Sequence, residues 1–483
     1  MLIGKEYPQF RVLSVKKIRK IHEATLNVLE QVGVRIYAEE AIELFKAAGC
    51  KIRDNNQVKI PSSLVEKAIQ DAPSKFTLYN RDGMAAFVVG ENNICFGTSP
   101  TAPFTHDIYT GKRRSFKLED SANAAKLANI LPNIDFVMPF GTPQDVPRHV
   151  FDIYAFEVTM NHTKKPIVFL SDNVKSTLNI LKMAGVVAGG MDNLRKKPFI
   201  AQFVQPLSPL FHTKEAMEKL ITAVKHGIPV FSVAGPVSGA THPISLAGSL
   251  VLANAEILTQ LTVSQLIKKG TPFGVGLAAQ IMDMATANAC VGTPECCLSG
   301  AAFNEIARYY NLPTWGTAGT SDAKVLDEQA AIEITMSILT QSLSGLNMIH
   351  DLGYLENGLV GSLQMLVMGE EIVGSVKRML EGIIVNKDTL SLETIEEVGI
   401  GGEFLTSDQT LKYYKTEHWH PTLMDRKMYA SWVKSGAKTM RDRINEKTQE
   451  LVKRESVDLL PRDTRSILEK IRAQGEENGK HNL

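Results

Sequence analysis

Two stretches in the later half of the chain place polar side chains just beyond apolar runs. PTWGTAGTSD carries Ser321 and Asp322, and NMIHDLGY carries His350, Asp351 and Tyr354. A histidine beside a carboxylate can act as an acid/base pair, and serine, aspartate and tyrosine offer oxygens to a polar or cationic ligand. Gln205 in QPLSPL and Gly235 in AGPVSGATH hold comparable positions earlier in the chain. Phe96, Phe104, Trp315 and Tyr354 are aromatic enough together to line a site for a cation. Singly, each polar group reads equally well as a loop residue satisfying backbone groups, and each aromatic as core. Gathered past the ends of several strands, they describe a ligand site of an α/β fold. Asp327 and Glu333, on the next helix, read as capping or solvated charges.

The elements that must position these groups alternate. Short apolar runs at Asp135–Phe140, Pro166–Ser171, Pro198–Val204, Pro229–Ala234, Pro272–Gly276, Ala289–Gly292, Pro313–Gly316 and Asn347–Asp351 are separated by helical patterns. Eight such units with right-handed crossovers predict a (β/α)8 TIM barrel, with a doubly wound sheet as the alternative from pattern alone. The Ala289–Gly292 run is the weakest of the eight. Four regions follow: a helical segment over residues 1–74, antiparallel hairpins covering the barrel over 75–117, the barrel over 118–385, and a charged helical extension over 386–483. Ser14–Val32 predicts an amphipathic helix behind a serine cap, Ser431–Glu455 another helix, and the tail QGEENGKHNL a frayed end.

Bulk properties exclude several classes. Lys plus Arg total 53 against 52 Asp plus Glu over 483 residues, so no electrostatic footprint for nucleic acid or an anionic membrane is present. Ile244–Ile267 is apolar but carries Asn254, Glu256, Gln260 and Gln265, and reads as a buried barrel helix. The amino-terminal stretch has no secretory pattern, and the five cysteines lack zinc spacing, so a cytoplasmic protein without disulfides or a bound metal is expected. Glu295-Cys296-Cys297 reads as packed thiols. No GxGxxG follows a strand, and GxxxxGK[ST], HExxH and GxSxG are absent.

Longer strings carry a resemblance. YTGKRRSFKLEDSANAAKLANILPNIDFV, AGPVSGATHPISLAG, GTSDAKVLDEQAA, HDLGYLENGLVGSLQMLVMGEEI and FLTSDQTLKYYKTEHWHPTLMDR together resemble the trimethylamine methyltransferase superfamily of corrinoid-dependent methyltransferases, over about residues 14–470. The resemblance implies a barrel whose mouth receives a methylamine and a separate corrinoid protein. Founding members carry pyrrolysine in the pocket. This sequence contains only standard residues, so it is similar to the non-pyrrolysine branch, whose substrates are quaternary amines such as glycine betaine, proline betaine and carnitine.

On that reading the cofactor is a corrinoid (cobalamin) carried by the partner protein, with none tightly bound, and a homo-oligomer is expected. A quaternary ammonium leaves as a neutral tertiary amine, so methyl displacement by Co(I) needs no general acid and the barrel mainly orients. His350 and Asp351 are the expected catalytic residues. Phe96, Phe104, Gln205, Ser321, Asp322 and Tyr354 are the expected substrate-binding residues, and Arg148 and His149 are candidates for a substrate carboxylate. Two other classes compete: a lyase or hydrolase using His350 and Asp351 as an acid/base pair, and a non-catalytic quaternary-amine-binding barrel.

Overall fold

A computed structural model describes residues 8–454 and 459–480. The barrel strands are β1 (Cys95–Thr98), β2 (residues 136–137), β3 (Ile167–Phe169), β4 (Ile200–Val204), β5 (Val230–Ala234), β6 (Phe273–Leu277), β7 (Thr314–Thr317) and β8 (Met348–Leu352). Seven of them form one sheet in the order β1-β8-β7-β6-β5-β4-β3. Parallel bridges from Gly97 to Phe136 and from Val137 to Ile167 insert β2 and close the ring. The helices that follow the strands are α1 (Leu118–Ile130), α2 (Phe151–His162), α3 (Val174–Val187), α4 (Lys214–Lys225), α5 (Leu246–Ile267), α6 (Pro294–Tyr309), α7 (Glu328–Leu343) and α8 (Leu363–Leu380). The fold is the expected (β/α)8 barrel.

Its eighth stave is not the expected one. Asn288–Cys290 pairs antiparallel with Gln280–Asp283 in a hairpin on the loop between β6 and α6, outside the barrel sheet. The missing strand is β1, inside the region read as covering hairpins, so the barrel starts upstream of residue 118. All four residues of β1 are buried. With both faces covered, β1 lacks the alternation that marks a half-exposed strand. The hairpin of Lys75–Tyr79 with Ala85–Gly90 closes the opposite end from the mouth: the Tyr79 amide donates to the Pro198 carbonyl, 2.9 Å away and just before β4.

The barrel interior is aromatic. Leu78 and Val89 from that hairpin pack with Phe136, Phe203, Phe231, Met348 and Trp315. Trp315 lies at the centre, its ring 4.6 Å from Phe231, 5.3 Å from Phe136, 5.7 Å from Phe203 and 4.9 Å from His350 by centroid. Gly274 makes room for one of these rings, since a Cβ there would lie 2.3 Å from a Phe231 ring carbon. Outside the wall, α5 buries 15 of its 22 residues. This most apolar helix is a core element, as its interspersed polar residues indicate.

The flanks partly follow expectation. Ser14 caps the first helix, Val15–Asn27, and the residues beyond it to Val32 form a π-helical turn. Strands Val34–Ile36, Lys51–Arg53 and Gln57–Lys59 were not expected in a helical preface, and Phe211–His212 adds to their sheet edge. The helix read over Ser431–Glu455 is two, Tyr429–Lys434 and Met440–Lys453, broken where Gly436 takes φ +101°. Instead of fraying, the helix Arg462–Lys480 continues to Lys480, held where Arg472 meets Glu157 at 2.7 Å and Tyr154 donates to Glu476 at 3.1 Å. Residues 481–483 of that tail lie outside the described residues.

His212 supplies a prediction for the fold. It is fully buried, neither ring nitrogen has a hydrogen-bond partner among the described residues, and burial pushes its pKa down to about 3. The unfolded chain takes up this proton below about pH 6.5 while the native state refuses it. Native stability therefore falls as pH drops, by about 1.4 kcal/mol per unit between roughly 6.5 and 3. Denaturant titrations of wild type and His212→Phe at a series of pH values check this. The variant loses that part of the slope.

Candidate active site

His350 lies on β8 with 4% of its surface exposed, against the Trp315 ring. The Trp315 indole N–H, which can only donate, lies 3.0 Å from His350 Nδ1. Nδ1 is also 2.9 Å from the Gly316 carbonyl, and one ring nitrogen cannot accept from the indole and donate to the carbonyl at once. The indole N–H is buried with no other acceptor among the described residues, and leaving it unmade is costly, so Nδ1 accepts. The neutral ring then carries its proton on Nε2, which faces Asp351 Oδ1 at 3.3 Å. Asp351 Oδ1 also accepts a short hydrogen bond from the Ser99 hydroxyl, at the end of β1. Its side chain is 18% exposed, and Oδ2 has no hydrogen-bond partner among the described residues. Asp351 takes φ +82°, a left-handed conformation imposed where β8 shifts register against β1. The result is an oriented imidazole and a partly open carboxylate above an aromatic floor.

Gln205 follows β4 and is exposed at the same end of the barrel. Its amide passes over Gly235, where a Cβ would come 2.2 Å from Nε2. The glycine is required by that crossing.

The other expected contacts sit elsewhere. Phe96 is fully buried on the outer side of β1, where Lys377 of α8 lies 5.6 Å from its ring centroid. Phe104 is partly buried on a strand paired with Val360–Gly361, and the Arg113 guanidinium stacks 3.6 Å from its centroid, so that face already carries a cation. The Tyr354 hydroxyl accepts from the Ala102 and Gly141 amides at 3.1 and 3.3 Å and donates to the Ser99 carbonyl at 3.0 Å. Burial raises its pKa well above the phenol range, and the group braces the mouth from behind. Ser321 is fully buried and donates to Glu333 Oε2 at 2.5 Å. Asp322 accepts from the Val291 amide at 3.1 Å and the Gly292 amide at 2.8 Å. Burial raises the Asp322 pKa, those two amides lower it, and the Glu333 charge adds to the rise. Asp322 anchors the β6–α6 segment to the loop after β7, and Ser321 ties that loop to α7. The His149 Nε2 meets the Glu476 carbonyl at 3.2 Å and serves the carboxy-terminal helix, while Arg148 is exposed.

This barrel has counterparts among known proteins. The profile of the trimethylamine methyltransferase (MTTB) family matches residues 1–479. The chain belongs to the trimethylamine methyltransferase family. It is 34% identical over 459 residues to a trimethylamine methyltransferase from Desulfitobacterium hafniense (strain DSM 10664 / DCB-2), covering 95% of this chain and 92% of that one. It is 32% identical over 441 residues to the glycine betaine methyltransferase of D. hafniense (strain Y51), covering 90% and 91%. The crystal structure of the Methanosarcina barkeri monomethylamine methyltransferase superposes with a TM-score of 0.51 at 13% identity over 90% of this chain and 91% of that one, a likeness of fold.

In this member of the trimethylamine methyltransferase family, several supporting residues escaped the sequence reading. Glu333 is no solvated charge: it holds the Ser321 hydroxyl and, at 2.8 Å, the Asp322 amide. Asp327 does cap α7, accepting from the Ala330 amide at 3.0 Å. Phe203, two residues before Gln205, and Ser99, four after Cys95, follow from the two-residue period of strands. A third set has no short-range signal: Ser208 donates to Glu256 at 3.0 Å and sits 2.9 Å from His242 Nε2, tying the loops after β4 and β5 to α5.

Gly235→Ala tests the Gln205 crossing. The new methyl displaces only the end of a flexible side chain, so stability changes by less than about 1 kcal/mol, while one hydrogen-bonding group leaves the mouth at about 1–1.5 kcal/mol, roughly a 5- to 12-fold rise in KM. Gln205→Ala gives the same rise, and the double variant gives no more.

Proposed function

We propose that this chain transfers a methyl group from a quaternary amine, of the glycine betaine, proline betaine or carnitine type, to the reduced corrinoid of a separate protein. One observation carries the reading: the partly open Asp351 carboxylate, oriented by His350 and Ser99, stands above the aromatic floor centred on Trp315. A tetraalkyl ammonium has no N–H to donate and is held by carboxylate charge and aromatic faces; the Asp351 carboxylate is partly open, and of the floor rings Phe203 keeps some surface open while Trp315 is fully buried beneath it. A neutral tertiary amine leaves, so neither His350 nor Asp351 exchanges a proton with it. Their work is to hold the cation, direct one N-methyl outward and exclude water.

The rim suits a protein that brings the corrinoid. Leu207, Ile244, Met284, Val325 and Leu359, on the loops after β4 to β8, are all exposed around the mouth. When bound, the corrinoid supplies a Co(I) nucleophile that accepts the methyl group. The glycine betaine methyltransferase among the relatives favours a quaternary substrate, and the trimethylamine methyltransferases keep a tertiary amine as the competitor. A panel of glycine betaine, proline betaine, carnitine, γ-butyrobetaine and trimethylamine with a reduced corrinoid protein separates them. Methylation by one or more quaternary amines is the expected result; methylation by trimethylamine alone overturns the quaternary assignment.

A further inference from the structure

Three rings meet a carboxylate far from the mouth. His22, on the helix Val15–Asn27, lies 6.2 Å from Tyr309 and 5.2 Å from Tyr310 by centroid, and the two tyrosines, at the end of α6, lie 5.8 Å apart. Glu66, on the helix Ser62–Asp71, places Oε1 3.6 Å from His22 Nε2. Together they line a groove of about 470 Å³. Because α6 ends just before β7, the groove lies at the amino-terminal end of the barrel, opposite Asp351.

A hydrogen-bond chain fixes the imidazole. The Asn254 amide nitrogen, which can only donate, is 2.8 Å from the Tyr310 hydroxyl and 3.1 Å from Thr25 Oγ1. Burial pushes the Tyr310 phenol pKa up, so the hydroxyl keeps its proton and donates it to His22 Nδ1 at 2.9 Å. The His22 ring then carries its own proton on Nε2, toward Glu66. Among the described residues no lysine or arginine lines the groove, and Glu66 has no second ion-pair partner. One negative charge therefore stands among three rings. The carboxyl ends of α6 and of the helix Ser62–Asp71 also meet there, and helix carboxyl ends carry partial negative charge. Packing accounts for His22 and Tyr310. It does not account for Tyr309, which leaves 43% of its surface exposed beside that carboxylate.

We propose that this groove is a second binding site, for a small organic cation of the alkylammonium class, held by the Glu66 charge and the rings of Tyr309 and His22. A single carboxylate among rings suits a weakly hydrated ammonium, whereas a hard metal ion takes several oxygen ligands. The groove shares no residue with the mouth, so its occupancy does not depend on what the mouth binds.

NMR of the full chain labelled with nitrogen-15 in histidine tests this, with choline and its neutral isostere 3,3-dimethylbutanol as probes and no corrinoid present. The His22 ring signals, assigned by their loss in His22→Gln, are expected to shift with choline to saturation and to stay in place with the isostere or with sodium chloride. Glu66→Gln weakens choline binding roughly two- to fivefold, the worth of a partly exposed charge pair, and Tyr309→Ala does so by a similar factor. Asp351→Asn leaves the His22 titration unchanged, which separates this site from the mouth. No His22 shift with choline, an equal shift with the isostere, a titration unaltered in Glu66→Gln, or one lost in Asp351→Asn overturns the proposal.

Discussion

Asp351→Asn raises KM for a quaternary amine by roughly 30- to 150-fold and leaves kcat within about threefold. The size follows from a unit cation about 4–5 Å from a partly screened carboxylate, where Coulomb attraction of about 4 kcal/mol less desolvation leaves about 2–3 kcal/mol. The split between KM and kcat follows from the chemistry. The ammonium charge is complete in the bound substrate and disappears as the methyl leaves, so the carboxylate favours the ground state at least as much as the transition state. Asparagine tolerates φ +82° as readily as aspartate does, which isolates the charge from the backbone. Unfolding free energy therefore stays within about 0.5 kcal/mol. Acid/base catalysis by the same residues predicts the reverse pattern, a kcat loss of about 100-fold or more with KM little changed.

Trp315→Ala destabilises the protein by about 3–5 kcal/mol, read as a fall in denaturant midpoint, because the central ring contacts Phe136, Phe203, Phe231 and His350 and nothing nearby can fill its volume. Trp315→Phe keeps most of the volume and costs about 1–3 kcal/mol, while removing the only donor to His350 Nδ1 among the described residues. The imidazole is then free to move its proton to Nδ1 and donate to the Gly316 carbonyl, 2.9 Å away. That turns an unprotonated Nε2 toward Asp351 Oδ1, acceptor against acceptor, and loosens the carboxylate. Nitrogen-15 NMR of the labelled histidine reads the tautomer directly. A KM rise in the same direction as Asp351→Asn, but smaller, accompanies it.

Much of the barrel was legible because its strands are short, apolar and regularly interrupted by helices. Seven of the expected eight runs hold strand positions of the ring, and the error at the eighth has a local cause: β1 is four buried residues, whereas Asn288–Cys290 has the length and turn spacing of a strand but pairs in a hairpin. The placement of His350, Asp351 and Gln205 at the carboxyl end of the barrel was legible for the same reason, since that is where a polar residue ending an apolar strand lies. Ser321 and Asp322 share that sequence signal yet turn away, because Glu333 and the Val291 and Gly292 amides compete for them. Whether a loop polar group meets ligand or loop is decided by partners distant in sequence. Phe96 and Tyr354 show the same limit for aromatics: which face of the wall a ring takes depends on a strand register that composition does not reveal.

The central claim is methyl displacement without proton transfer. A single turnover of the protein with methyl-labelled glycine betaine and a reduced corrinoid protein, mixed anaerobically at several pH values between about 6 and 8, tests it most directly. The expected result is one labelled methyl on the corrinoid for each dimethylglycine released, at a rate constant that does not change across that range. Consumption of betaine without any corrinoid, or a rate that follows the titration of a single group, contradicts it.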